Sequence, residues 1–137
     1  MTETTERADA LLARGADVTD KVLPVIFNIF ESWRLTGAQQ MALLGLSNEK
    51  TLYNWKNNPE RAKLSKDLLE RISYILGIYK ALQVLFSNPV NADNWMRSIN
   101  KAELFGERAP IDFLTEEGKV VDLAKVRDYL DNERGGW

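Results

Sequence analysis

The first helical period along the chain is set by Val25, Ile26, Ile29, Phe30 and Trp33, which fall on one face of a helix. Pro24 suits the first turn of such a helix, so regular structure is expected from near Leu23 to just before Gly37. Ahead of it, residues 1–19 are polar and alternate in charge; there a short helix over Arg7–Arg14 competes with a mobile tail. Thr36-Gly-Ala-Gln39 has the form of a capping box and predicts a short helix from Gly37 to about Leu44, stopped by Gly45. Ser47 or Asn48 then caps a third helix through about Asn57. Leu52 and Trp55 share its inner face, while Lys50, Thr51, Asn54 and Asn57 point the other way. Asn58-Pro59 breaks it.

Ser65 opens the longest helix, which runs to about Phe86. From Ile72 onward it is apolar nearly all round, through Ile75, Leu76, Ile78, Tyr79, Leu82, Leu85 and Phe86, so it must be covered on more than one side. Asn88-Pro89 ends it. NADNWMRSIN reads as a short helix, NKAELFGERAP as a loop, and Pro110 as the start of a helical turn holding Ile111, Phe113 and Leu114. TEEGK reads as a turn. Asp122 is expected to cap a last helix whose Leu123, Val126 and Leu130 form one apolar face, with Gly135-Gly136-Trp137 as a free tail. No strand pattern exceeds a few residues. The expected fold is all-α: a tail over 1–22, a helix-turn-helix region over 23–64, and a central helix with a small helical half over 65–137.

Composition narrows the chemistry. At 137 residues and 45% hydrophobic the chain can bury a core. It has no Cys and no His, which removes disulfides, thiolate chemistry, serine–histidine catalysis and most zinc sites. No apolar run reaches the ~18–20 residues of a membrane span, and the N-terminus lacks the basic start and apolar stretch of a signal peptide. A soluble cytosolic protein with no membrane association is the expectation. The net charge of −2 is unevenly spread. Residues 32–80 hold 8 basic and 4 acidic side chains, whereas 81–137 hold 7 basic and 10 acidic. A positive middle suits phosphate, and an acidic end suits a protein partner.

The helices around Thr36–Asn58 form a helix-turn-helix candidate whose second helix would enter the major groove. Asn can read adenine, Lys can reach guanine or phosphate, and Ser or Thr can contact either. The candidate DNA-contacting residues are Ser47, Asn48, Lys50, Thr51, Tyr53, Asn54 and Lys56, with Lys56, Arg61 and Lys63 placed to hold phosphates beside the groove. A plain helical hairpin with a solvated polar face has the same spacing. Trp33, Trp55 and Trp95 lie on apolar faces and read as core anchors. Trp137 follows two glycines, as either a frayed end or an arm for a partner's pocket. Glu116, Glu117, Asp122, Asp128 and Asp131 offer no pair that spacing can place across a cleft, and no glycine-rich nucleotide loop is present.

The ordered set W-K-N-N-P-E, L-S-K-D-L-L-E-R-I-S-Y-I-L-G-I-Y-K-A-L-Q-V-L-F, N-W-M-R, F-G-E-R-A-P-I-D-F-L and V-R-D-Y-L-D-N-E-R-G-G-W resembles the Xre/MbcA/ParS antitoxin family over roughly residues 24–137. One departure is Glu107, where many members have a second glycine. The resemblance implies a non-enzymatic antitoxin, without a cofactor, that occludes the NAD cleft of a RES-domain toxin and represses its own operon as a homodimer on palindromic operator DNA. It places Trp95, Phe105, Gly106 and Pro110 in the framework of the toxin-binding domain, and brings Arg134, Gly135, Gly136 and Trp137 to the toxin's cleft. Rivals are a stand-alone DNA-binding regulator, a toxin-binding protein that has lost DNA, and a small enzyme.

Overall fold

Backbone N–H groups at a helix start need acceptors, and among the described residues four starts have a side-chain oxygen in place: Thr36, Asn48, Ser65 and Asn88. The computed structural model describes residues 19–63 and 65–135. Its helices are α1 (Thr19–Ser32), α2 (Gly37–Leu44), α3 (Glu49–Asn57), α4 (Lys66–Leu85), α5 (Pro89–Trp95), α6 (Pro110–Glu117) and α7 (Val120–Glu133). Short 3-10 turns lie at Pro59–Arg61 and Glu103–Phe105, and no strand occurs among the described residues. The all-α expectation holds. The possible helix over Arg7–Arg14 lies outside the described residues.

Several boundaries differ from the sequence reading. α1 begins one turn before Leu23, which puts Pro24 inside the helix. Pro24 is exposed, so the Asp20 carbonyl that loses its N–H partner there can be solvated. α5 begins at Pro89, because the Asn88 side chain accepts from the Val90 N–H at 2.9 Å and fixes the start earlier than Asn91. TEEGK is not a turn as a whole: Thr115, Glu116 and Glu117 complete α6, and only Gly118, at φ 64°, turns the chain. Asp122 does not cap the last helix. Val120 and Val121 extend that helix backward, and Asp122 lies in its first turn, buried, with Lys125 Nζ 3.9 Å from its carboxylate. An acid there still favours the helix dipole.

α4 is the axis of the molecule. Ile72, Ile75, Leu76, Ile78, Ala81 and Leu82 are all fully buried, although they occupy different sides of the helix. Covering them takes α1 and α2 from one half and α5 and α7 from the other, and the resulting core is a single cluster reaching from Val22 to Leu130. α7 makes the most extensive packing against α4. It can come close because Gly77 has no side chain: a Cβ there would fall inside the Arg127 side chain, which crosses α4 at that point. The two halves also touch directly. α2 packs on α6, and the Gly118 turn lies against the Ala42 backbone.

Arg71 of α4 sets how the first half sits. Its Nε donates to Asp67 at 2.7 Å, and its Nη1 donates to the Ala42 and Leu43 carbonyls at 3.1 and 3.3 Å. Those carbonyls end α2, where orphan acceptors and the negative end of the helix dipole both favour a cation. Gly45, at φ 72°, closes α2 beneath the guanidinium, and a Cβ on it would stand 2.9 Å from Arg71 Cζ. Arg71→Ala should lower stability by about 1–3 kcal/mol, since it takes the guanidinium from the buried Leu43 carbonyl and leaves the Ala42 carbonyl with the Gly45 N–H alone. Arg71→Lys should recover only part of this, because an ammonium lacks the planar fork. Urea titrations test it; a loss under ~0.5 kcal/mol in Arg71→Ala, the level of an ordinary surface change, would show that the clamp does not hold α2.

Candidate nucleic-acid interface and the aromatic C-terminal half

α2, the first helix of the pair, is fixed at both ends. The Thr36 hydroxyl accepts from the Gln39 N–H while the Gln39 side chain accepts from the Thr36 N–H, so the expected capping box is present. At the other end the Gly45 N–H bonds back to Ala42 and the Leu46 N–H to Met41. Asn48, rather than Ser47, caps α3: its Oδ1 accepts from the Lys50 N–H at 2.8 Å. Leu52 is buried and anchors α3 against the core, with Trp55 half-buried beside it.

With α3 anchored in this way, Ser47, Asn48, Lys50, Tyr53, Asn54, Lys56 and Asn57 are exposed. Tyr53 is 69% exposed, the extreme among the aromatic rings of the described residues. Two of the residues singled out from sequence are less available than the rest. Thr51 is half-buried, and Lys56 Nζ lies 5.4 Å from the centre of the Phe27 ring, which holds it toward α1. Asn57 spends a donor on the Tyr53 carbonyl at 2.9 Å. Lys50, Tyr53 and Asn54 remain as the exposed side chains of α3 best able to reach a base edge. Arg61 and Lys63 are exposed just beyond α3, where they could meet phosphate.

The C-terminal half is built round Phe105. Its ring is fully buried and meets Tyr129, Trp95 and Phe113 edge-on at 5.3, 5.6 and 5.7 Å between centroids. Trp95 also stacks on Tyr129 at 6.4 Å. One ring therefore ties α5, α6 and α7 together. Trp95 is only half-buried, and Pro110 is buried at the start of α6. After Phe105 the chain reverses through Gly106 at φ 57° and Glu107 at φ 62°. The Asn100 N–H donates to the Arg108 carbonyl at 3.0 Å and closes the loop. The Arg108 guanidinium reaches back to the Phe105 carbonyl and pairs with Glu116. Glu107 thus occupies a left-handed position that glycine fits and that costs other residues about 1–2 kcal/mol.

Ionisable groups at the junction of the halves are perturbed by burial. Asp93 of α5 has its pKa raised by desolvation, with a Gln83 side-chain hydrogen bond pulling it partly back. Tyr79 of α4 is raised by burial and then by the Asp93 charge. Tyr129 is raised first by burial and next by Glu133. Near the chain end, the Arg134 side chain is mostly covered and sits 4.0 Å from Asp131. Gly135 is exposed at φ 94° and ends the helical path of α7. Gly136 and Trp137 lie outside the described residues. No group of three carboxylates among the described residues could hold a metal, and no described helix is long and apolar enough to cross a membrane.

The Arg71 clamp, the Phe105 hub and the left-handed Glu107 were not singled out by periodicity. The signals present were the Glu-Arg-Ile and Phe-Gly runs, whose partners lie far off in the chain.

Comparison with known proteins gives two adjoining matches. Residues 6–77 match an antitoxin Xre-like helix-turn-helix domain, and residues 81–136 match an antitoxin Xre/MbcA/ParS C-terminal toxin-binding domain. The matches meet inside α4. An uncharacterized protein of Sinorhizobium fredii, y4oB, is 40% identical over 114 residues, which is 83% of this chain and 84% of the relative. No solved structure matches.

Glu107→Gly should raise stability by about 0.5–1 kcal/mol, the relief of left-handed strain less the backbone entropy of glycine; a lower denaturation midpoint would count against it. For Asp93 the folded-state pKa lies above the ordinary 3.8. The unfolded chain therefore loses its proton first, and stability falls as pH rises through that interval. Asp93→Asn should melt higher than wild type at pH 7, with the difference shrinking toward the ordinary carboxylate pKa of about 3.9. Melting curves that stay equal at both ends would remove this role.

Proposed function

Since the chain belongs to the Xre/MbcA/ParS antitoxin family, we propose that it neutralises a RES-domain, NAD-consuming toxin and represses its own operon through α3. The observation that carries the DNA part is the face of α3. Lys50, Tyr53 and Asn54 stand exposed on a helix that Leu52 anchors and the Asn48 cap starts. A helix so mounted can enter a major groove with its side chains already positioned. Asn54 would bond to adenine and Lys50 to guanine or phosphate, with Ser47 and Asn48 at the entry. Thr51 and Lys56 would act from the edge, and Lys56, Arg61 and Lys63 would meet backbone phosphate. Two copies would bring two such helices to the halves of a palindrome.

The toxin would be held by the other half. The antitoxin need supply no chemistry: it has only to cover the toxin's cleft. Arg134, Gly135, Gly136 and Trp137 are the residues proposed to approach the entrance, and the exposed Gly135 supports this because it lets the backbone lie close to another surface. Trp95, Phe105, Gly106 and Pro110 would act as framework, with Phe105 at the centre of the packing that presents the end of α7.

Lys50→Ala combined with Asn54→Ala should weaken operator binding at least about tenfold at matched salt, since a good base contact is worth ~1–3 kcal/mol. Unchanged affinity in a quantitative shift assay would remove α3 from the reading. For the toxin, the chain is expressed with its neighbouring reading frames, whole or lacking residues 134–137. The whole chain should rescue growth, and the shortened one should fail although its melting temperature falls only by the loss of the Arg134 contacts at the end of α7. Equal rescue would take the chain end out of the mechanism.

A further inference from the structure

From Ala81 to Ala92 the chain carries no charged residue, although 28% of its residues are charged. This stretch ends α4, turns the corner and begins α5. Much of it faces outward. Val84 is 55% exposed and Val90 62%; Ser87, Asn88, Pro89 and Asn91 are also exposed, and Leu85 and Phe86 are half-buried. Surface that meets only water is ordinarily rich in Lys, Glu, Arg and Asp, whereas depletion of charge marks the core of a protein interface.

We propose that the α4–α5 corner is a two-fold interface with a second copy of this chain. The proposal rests on the reading of the protein as a dimer on DNA, and names the surface that makes the dimer. Across a two-fold axis a patch meets itself, so side chains near the axis face their own equivalents. A lysine or aspartate there would meet its like, which is costly. Valine meets valine without that cost, and an amide, both donor and acceptor, can pair with the same amide. Asn88 uses its Oδ1 on the Val90 N–H and keeps two N–H donors for a neighbour. Asn91 adds a further exposed amide. A different protein as partner imposes no such restriction, because opposite charges can then be matched across the interface. The same half offers exposed carboxylates for that purpose elsewhere, at Asp112, Glu116, Glu117, Asp128 and Glu133. Position agrees with this division. The corner lies at the end of α4 opposite its Ser65 start, beside the Arg34–Asn94 contact at the end of α1. α3 packs mainly on α1, α2 and the Pro59–Arg61 turn, so pairing at the corner leaves its outer face open.

Sedimentation equilibrium of the full chain tests the proposal. Wild type should sediment at twice its 15.6 kDa. Val84→Asp and Val90→Asp should each raise the dimer dissociation constant about a hundredfold, because each sets like charges face to face. Melting temperatures should hold, since both side chains already meet solvent. Mixing Val90→Asp with Val90→Lys should restore the dimer. A monomeric wild type at tens of micromolar overturns the proposal, as do variants that stay dimeric or a mixture that stays monomeric. Variants that remain dimers but no longer hold the toxin would give the corner to the toxin instead. None of these masses depends on whether α3 reads DNA, so a failure of that reading would be seen separately.

Discussion

A helix that is apolar round most of its circumference cannot stand at a surface, and α4 is such a helix from Ile72 onward. Ile72, Ile75, Leu76, Ile78, Ala81 and Leu82 are all fully buried and leave water only a strip that holds Ser73 and Val84. The burial of those side chains obliges both halves of the chain to lie against one helix. That obligation explains why a DNA-binding type of domain and a toxin-binding type of domain share one core. Neither half could shed the other without exposing part of α4.

Burial alone is non-directional and would permit many arrangements around α4. Two polar details select one. Arg71 reaches the last carbonyls of α2 and so fixes the angle at which the α2–α3 unit leaves the axis. Gly77 admits the Arg127 side chain, so α7 lies close against α4 about 1.7 turns further on. Arg34 adds a tie at the surface, where its guanidinium donates to Asn94 at 2.8 Å and joins the end of α1 to α5. Specificity of arrangement thus comes from a few side chains whose partners are backbone carbonyls, absent atoms or a distant amide.

The division of surfaces follows from this plan. α3 hangs from Leu52 with its polar face outward, on a part of the chain where basic side chains outnumber acidic ones. The outer rim of α6 and α7 is acidic, and the uncharged corner at the end of α4 belongs to neither. Three surfaces of different chemistry suit three kinds of contact: phosphate and bases, an oppositely charged protein, and a copy of the same surface.

Helix identity was written locally and could be read locally. The Thr36–Gln39 capping box, the Gly45 stop and the Ser65 cap involve residues a few positions apart, and all three appear in the structure where spacing put them. The apolar band of α4 likewise announced that it would be covered. Errors came where a second local signal competed. Pro24 looked like a first turn but sits within α1, and Asp122 looked like a cap but lies inside α7, because the flanking Val120 and Val121 were free to join the helix. What only the tertiary structure decided was which of the polar residues near α3 stay free, and what holds each half in place. Lys56 is drawn to Phe27, Arg71 finds carbonyls 28 and 29 residues away, and Phe105 gathers rings from three helices. Such contacts depend on distances in space between residues far apart in the chain, and a one-dimensional pattern carries no measure of them.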